Sequence, residues 1–263
     1  MEGDKTRTLH EEAWAQVYPL TDRQLSPLGL QVMAALALQA GGHVLDVGCG
    51  TGQSLLQLVE RVGPTGKVVG VDVSRTFLGI AKERTQSFHQ ISLIEADAQT
   101  VALPNGSFDA VFSRFGIMAF EDPVAAFANF QKMLKPSGKL GFCCWRSLQD
   151  NELDLLPLEA SGMLSRADQT PFSFSDAAYI RQILKGAGFQ DIAIIPHDEP
   201  VSCGGVEETI AVLLKVGALG KIVREDPNLG PQVEPLLRQV LIERCDGEIV
   251  RLNASVFVVT ASI

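Results

Sequence analysis

At 263 residues the chain can bury a sizeable core, and one large α/β domain with additions fits it better than two small ones. Its 22 lysines and arginines against 31 aspartates and glutamates give a net charge of −9 with no basic run, which argues against a nucleic-acid partner and for a small molecule. The five cysteines lack CxxC or His-paired spacing, so neither a disulfide framework nor a metal site is expected, and no stretch reaches the ~18 apolar residues of a membrane span.

The polar start, MEGDKTRTLHEEAW, lacks the apolar stretch of a signal peptide, so a cytoplasmic location is expected, with a monomer or homodimer as the state. Residues 1–25 read as a loose arm with a short helix over 9–17. Trp14 and Tyr18, four apart, share a face of that helix and either pack on the domain surface or help to close a ligand site. Ser26 and Pro27 then read as N-cap and first turn of a helix through residue 38, stopped by Gly41 and Gly42.

Residues 44–52, VLDVGCGTG, describe a buried strand entering a tight glycine loop, and 53–62 place Leu55, Leu56, Val59 and Val62 on one helical face. Glycines at such a turn allow a ligand close to the backbone, and the helix start offers free N–H donors. The next strand, 67–71, ends in Asp72, a position where a carboxylate in nucleotide-binding α/β units accepts from ribose hydroxyls.

The dinucleotide fingerprint GxGxxG would need its third glycine at Gln53, where Gly52 comes one residue early. GxGxG after Asp46 and Val47 resembles instead the class I methyltransferases that bind S-adenosyl-L-methionine, in the small-molecule branch akin to quinone and polyketide tailoring enzymes. The resemblance covers roughly residues 40–146. It implies a Rossmann-like, doubly wound seven-stranded sheet whose last strand is antiparallel, with helical cover insertions. It also implies contacts to the methionine part of the cofactor from Gly48, Gly50 and Thr51, to ribose from Asp72 with Val73 beside it, and to the adenine amino group from Asp97 followed by Ala98. Phe77, Ala98, Arg114 and Phe115 would wall the adenine and methionine moieties, with Ser113, Trp14 and Tyr18 also in the cofactor site.

Along the rest of the chain, Ser74 caps a helix to residue 86 with Phe77, Leu78 and Ala81 inward, and 91–95 form the third strand. FDAVFS (108–113) is the fourth, followed by an apolar run over 114–120 that reads as a pocket lining rather than a surface loop. Asp122 and Pro123 open a helix carrying Val124, Phe127, Phe130 and Leu134 inward, and residues 135–138 resemble the KPGG turn that precedes the family's fifth strand, here 140–145. An amphipathic helix over 151–164 comes next, then one capped by Ser175 and running to 187, and a sixth strand over 192–195. Helices over 206–216 and 235–245 precede the seventh strand, 256–259. The expected division is a helical arm or lid over 1–40, a cofactor-binding core over 41–200 and 251–263, and a helical insertion over 201–250.

Ligands in an open parallel sheet bind beyond the carboxyl ends of the strands, where Gly48, Asp72, Asp97, Arg114 and Trp145 converge. His43 and His89 precede strands and fall at the opposite edge, which leaves His10 and His197 as candidate general bases. Metal-independent methyl transfer to oxygen, carbon or nitrogen of a small, partly apolar molecule, releasing S-adenosyl-L-homocysteine, is the leading expectation. The alternatives are an NAD(P)-dependent oxidoreductase and a methyltransferase-fold protein without transfer activity.

Overall fold

A computed structural model describes residues 2–263, with side chains from residue 6 onward. A seven-stranded sheet has the order β3 (Ile91–Glu95), β2 (Lys67–Asp72), β1 (His43–Val47), β4 (Phe108–Arg114), β5 (Leu134–Trp145), β9 (Leu252–Ser262), β6 (Gln190–Val201). Strand β1 pairs in parallel with β2 and β4, β2 with β3, and β4 with β5. Strand β9 returns antiparallel on β5, and β6 closes the edge. The expected architecture, antiparallel last strand included, is the one found.

By contact density the chain forms two units. The first holds Leu28–Arg146, Thr170–His197 and Val256–Ile263. Helices cover both faces of its parallel strands, so those strands are apolar on both faces: Val44, Leu45, Val47, Val68, Val71, Val111 and Phe112 are all buried. The helices are α2 (Gln53–Val62), α3 (Arg75–Thr85), α4 (Pro123–Met133) and α6 (Ala177–Gly186). A phenylalanine cluster of residues 127, 130, 142 and 174 fills the core in tilted and edge-to-face pairs. The caps follow the sequence at Ser74, which accepts from Phe77 N, and at Asp122, which accepts from Ala125 N.

Several expectations are corrected here. Leu58 rather than Leu56 is buried on α2. On α4 Val124 is exposed, and the inward stripe is Ala126, Phe127, Phe130 and Met133. Asp176, not Ser175, caps α6, its carboxylate accepting from Ala178 N. Residues 135–138 are no separate turn but a bulge inside β5: Phe108 pairs with Leu134 while Ala110 pairs with Lys139, and Lys135 Nζ reaches Asp109 at 2.7 Å. Strands β6 and β9 run well beyond the stretches read from their apolar cores.

The second unit joins the N-terminal stretch through Pro27 to Ser147–Gln169 and Asp198–Ser255. It contains α5 (Glu152–Ala160), α7 (Val206–Leu213), α8 (Gly217–Glu225), α9 (Gly230–Ile242) and a hairpin of β7 (Cys245–Asp246) and β8 (Ile249–Val250). The buried Asp154 carboxylate accepts from Ala218 N at 2.9 Å and so starts α8. Asn151 Oδ1 accepts from Ser255 N at 2.7 Å. Trp14 and Leu20 pack on a cluster of Val17, Cys203, Val212 and Val216.

The N-terminal segment is one continuous helix, α1 (Glu2–Leu36), rather than an arm followed by a second helix, although Pro19 and Pro27 lie inside it. An interior proline disfavours a helix by about 3 kcal/mol. Fully burying a large apolar side chain returns roughly 1.5–3 kcal/mol, and Val17, Leu25, Leu28, Val32, Met33 and Leu36 are all buried.

Candidate functional site: the carboxyl ends of strands one to five

The glycine loop after β1 uses its glycines for different ends. A Cβ on Gly48 would lie 2.6 Å from Gly116 Cα, and one on Gly52 would lie 3.0 Å from the Ala81 methyl, so both positions serve close packing. Gly50, at φ +53°, would meet nothing within 4 Å: it is the one glycine of the loop that faces open space. The loop is tied to β2, because Gly48 N and Cys49 N donate to Val71 O at 2.8 and 3.2 Å. Asp72 reinforces the tie, Oδ2 accepting from Gly50 N at 2.8 Å and Oδ1 from Ser74 N at 2.9 Å. Thr51 is held from outside by Arg84, whose guanidinium donates to its carbonyl at 2.9 Å.

Beyond Asp72, Val73 is 49% exposed, an apolar side chain offered at the strand end, and Phe77 is half-buried on the first turn of α3. Ala98 is buried and Asp97 exposed, with its Oδ1 accepting from Gln99 N at 2.8 Å, as a turn carboxylate does. Ser113 is spent within the protein: its buried hydroxyl donates to Val47 O at 2.7 Å and accepts from Gly116 N at 3.1 Å, stapling the end of β4 to β1. Arg114 hydrogen-bonds Gln53 Oε1 at the start of α2. Phe115 is in the left-handed region, φ +65°, where a bulky side chain is strained by about 1–3 kcal/mol. Its amide donates to Cys143 O at 3.2 Å, and its ring stacks on Trp145.

One residue of this edge escaped the sequence reading. Asp46, inside β1, is fully buried; Ser54 Oγ donates to its Oδ2 at 2.5 Å, and Oδ1 has no hydrogen-bond partner. Burial pushes its carboxyl up to about 7, against the pull of the Ser54 hydroxyl and of nearby Arg114. A carboxylate in the middle of an apolar strand was the signal to follow. Gly116 escaped as well, since its need for close approach arises only once β4 lies beside β1.

The remaining candidates lie on β6 and in the second unit. His197 lies half-buried on β6. His10, Trp14 and Tyr18 belong to the second unit. There His10 Nδ1 is 3.4 Å from the Arg224 guanidinium, and burial together with that cation lowers its pKa, so the imidazole is neutral near pH 7. Trp14 rests on the Val17 and Cys203 cluster, with its indole Nε1 buried and without a hydrogen-bond partner. Among the described residues no helix is long and apolar enough to cross a membrane.

Residues 44–138, from β1 to the bulge in β5, match the family model described as a methyltransferase domain. This segment is a methyltransferase domain. It is 37% identical over 108 residues to a demethylmenaquinone methyltransferase of Staphylococcus aureus strain JH9, a match covering 41% of this chain and 45% of that one. The chain thus spans about half the length of the curated relatives it matches. Among solved structures, a SAM-dependent methyltransferase from Aquifex aeolicus aligns over 95% of this chain and 97% of its own at TM-score 0.56 and 16% identity. A Haemonchus contortus phosphoethanolamine N-methyltransferase 2, bound to phosphomonomethylethanolamine and S-adenosylhomocysteine, aligns over 90% of this chain and 53% of its own at TM-score 0.56 and 20% identity. At such identities the likeness of these methyltransferases is one of fold.

Proposed function

We propose that this chain transfers the methyl group of S-adenosyl-L-methionine to oxygen, carbon or nitrogen of a small, partly apolar acceptor without a metal ion. The observation that carries the reading is Gly50: in a loop otherwise pressed against protein, it alone of the three glycines faces open space, with its amide donating to the Asp72 carboxylate. That donor and acceptor set fits a ligand bearing an ammonium group and ribose hydroxyls. Gly48, Gly50 and Thr51 would hold the methionine part and Asp72 the ribose, since a carboxylate accepts at about four positions. Val73, Phe77, Asp97 and Ala98 would hold adenine, and Arg114 and Phe115 would wall the sulfonium end. Ser113 supports the site through Val47 and Gly116.

The cofactor supplies an electrophilic methyl, and the chain's task is to align the acceptor in line with it, so positioning provides much of the rate. Burial raises the Asp46 carboxyl to about 7, so its protonated and charged forms coexist near neutral pH. His10 and His197 are the candidate bases for an acceptor that must lose a proton. His10, neutral near pH 7, is in the state to take one.

An oxidoreductase reading would need backbone room for a pyrophosphate where Gln53 already opens α2 and bonds Arg114. Calorimetric titration with S-adenosyl-L-homocysteine and with NADH separates the two: binding of the first alone is expected. Mass-detected methylation of a pool of small molecules with labelled cofactor then tests for turnover, whose absence would leave a methyltransferase fold without transfer activity. A cytoplasmic location, a monomeric or homodimeric state, and lid roles for residues 1–40 and 201–250 belong to the same reading. Hydrogen exchange with and without S-adenosyl-L-homocysteine tests the last. Deleting residues 1–18 would not test it cleanly, because Trp14 and Val17 belong to the apolar cluster of their unit.

A further inference from the structure

Among the described residues of the sheet-bearing unit, the aromatic pairs fall into two kinds. Those of the phenylalanine core are tilted or edge-to-face, with interplanar angles of 41° to 86°. Phe115 and Trp145 are stacked instead, 4.1 Å apart at 15°, and they stand outside that core at the ends of β4 and β5. Trp145 is only 9% exposed, whereas Phe115 is partly open, so the ring that offers a face is that of Phe115.

The backbone under this ring is constrained from both sides. Phe115 N is bonded to Cys143 O, Gly116 N to Ser113 Oγ, and Gly116 is pressed against Gly48. The turn therefore has to adopt a positive φ at residue 115, where glycine or asparagine would sit with less strain. A phenylalanine there serves something other than the turn.

Strands are spaced by ~4.8 Å, so β5 lies roughly 10 Å from β1, on the side away from β2 and β3. The proposed cofactor contacts at Gly50, Asp72 and Asp97 follow β1, β2 and β3, so the acceptor would meet the sulfonium end at Phe115 and extend from there toward the end of β5. The side chains next along the turn, Ile117, Met118 and Phe120, pack into the phenylalanine core and anchor the turn from below, so beyond Phe115 the apolar run over 114–120 is not the pocket lining expected of it.

We infer that the Phe115–Trp145 stack is the acceptor platform, and that it selects a flat, conjugated ring, which extends the stack on the outer face of Phe115. This rests on the methyltransferase reading above and adds the class of acceptor to it. Both residues position the acceptor by face-to-face contact; neither takes part in bond making.

The test uses 1-naphthol as the flat probe and decahydro-1-naphthol as its saturated counterpart, with S-adenosyl-L-homocysteine present. Calorimetry of each alcohol reads binding in the parent and in every variant, including those that lack Trp145. The expected result is tight binding of naphthol and weak binding of the saturated alcohol. Phe115→Asn keeps a residue that tolerates the turn, and it should weaken naphthol binding by about 3- to 10-fold, the range of a lost aromatic contact, while leaving decahydronaphthol unchanged. Trp145→Phe, which keeps a flat ring, should retain most of the affinity where Trp145→Leu does not. Equal binding of both alcohols, or naphthol affinity unmoved by Phe115→Asn, would overturn the platform. Failure of S-adenosyl-L-homocysteine to bind would overturn the methyltransferase reading instead, and calorimetry of that ligand alone separates the two failures.

Discussion

Two turns meet where β1 and β4 end, and they are built from opposite materials. The turn after β1 is mostly backbone, with glycines at 48, 50 and 52. The turn after β4 puts Arg114, Phe115, Ile117 and Met118 around a single Gly116. A ligand common to many enzymes can be held by main-chain groups and one carboxylate, which different sequences supply in the same way. An acceptor particular to one enzyme has to be recognised by side chains, and those follow no shared pattern. The difference explains why one turn was legible as a motif and the other only as an unusually apolar loop.

The comparison breaks most visibly at the contact between the two turns. Gly116→Ala would set a Cβ 2.4 Å from Val47 O and 2.8 Å from Gly48 Cα, both rigid backbone. A loss of about 3 kcal/mol or more in chemical denaturation is expected, at the upper end of overpacking effects. Gly50→Val meets no neighbour, so its stability loss should stay near the 1–2 kcal/mol of a left-handed non-glycine residue, while cofactor binding in calorimetry disappears. If Gly50→Val bound normally, the loop would be only a turn.

Asp46 sharpens the comparison through pH. Its folded pKa, about 7, lies above the ordinary 3.8, so the folded protein holds this proton more tightly than the unfolded chain. The stability it contributes is fully present below pH ~4 and is lost as pH rises toward about 7, levelling off beyond. Asp46→Asn removes that dependence. Its stability relative to the parent should climb by a few kcal/mol between pH 4 and 7.5, roughly 1.36 kcal/mol per pKa unit. Parallel denaturation curves of the two proteins at every pH would show that Asp46 ionises normally.

The smallest effect is expected at Asp72→Ala, which should weaken cofactor binding by ~1–3 kcal/mol in calorimetry while the fold survives. Because Asp72 also anchors Gly50 N and Ser74 N, Asp72→Asn should recover part of the loss through its one remaining carbonyl acceptor. A folded Asp72→Ala with unchanged affinity would remove the carboxylate from the site.

What the sequence revealed was local. Strands β1 to β4 and the starts of α2, α3 and α4 announce themselves through apolar runs, Ser74, the Asp122–Pro123 pair and glycine punctuation, all readable within a few residues. What it concealed depends on partners far along the chain. Pro19 and Pro27 look like helix breaks until the burial around them is known. Gly217 and Gly220 look like a loop, yet they lie in α8, where a Cβ at 220 would strike Lys215 at 2.5 Å. The β7–β8 hairpin could have been read from Asp246–Gly247, a pair suited to a tight turn. Asp46 was hidden by the motif that contains it.

Gly48 and Gly116 touch backbone to backbone, with no side chain between them to absorb a shift. Any displacement of the first turn as a ligand settles is therefore handed on, almost undamped, to the second and to the ring of Phe115. The two ligands should then bind cooperatively, and by the reciprocity of linked equilibria each raises the other's affinity by the same factor.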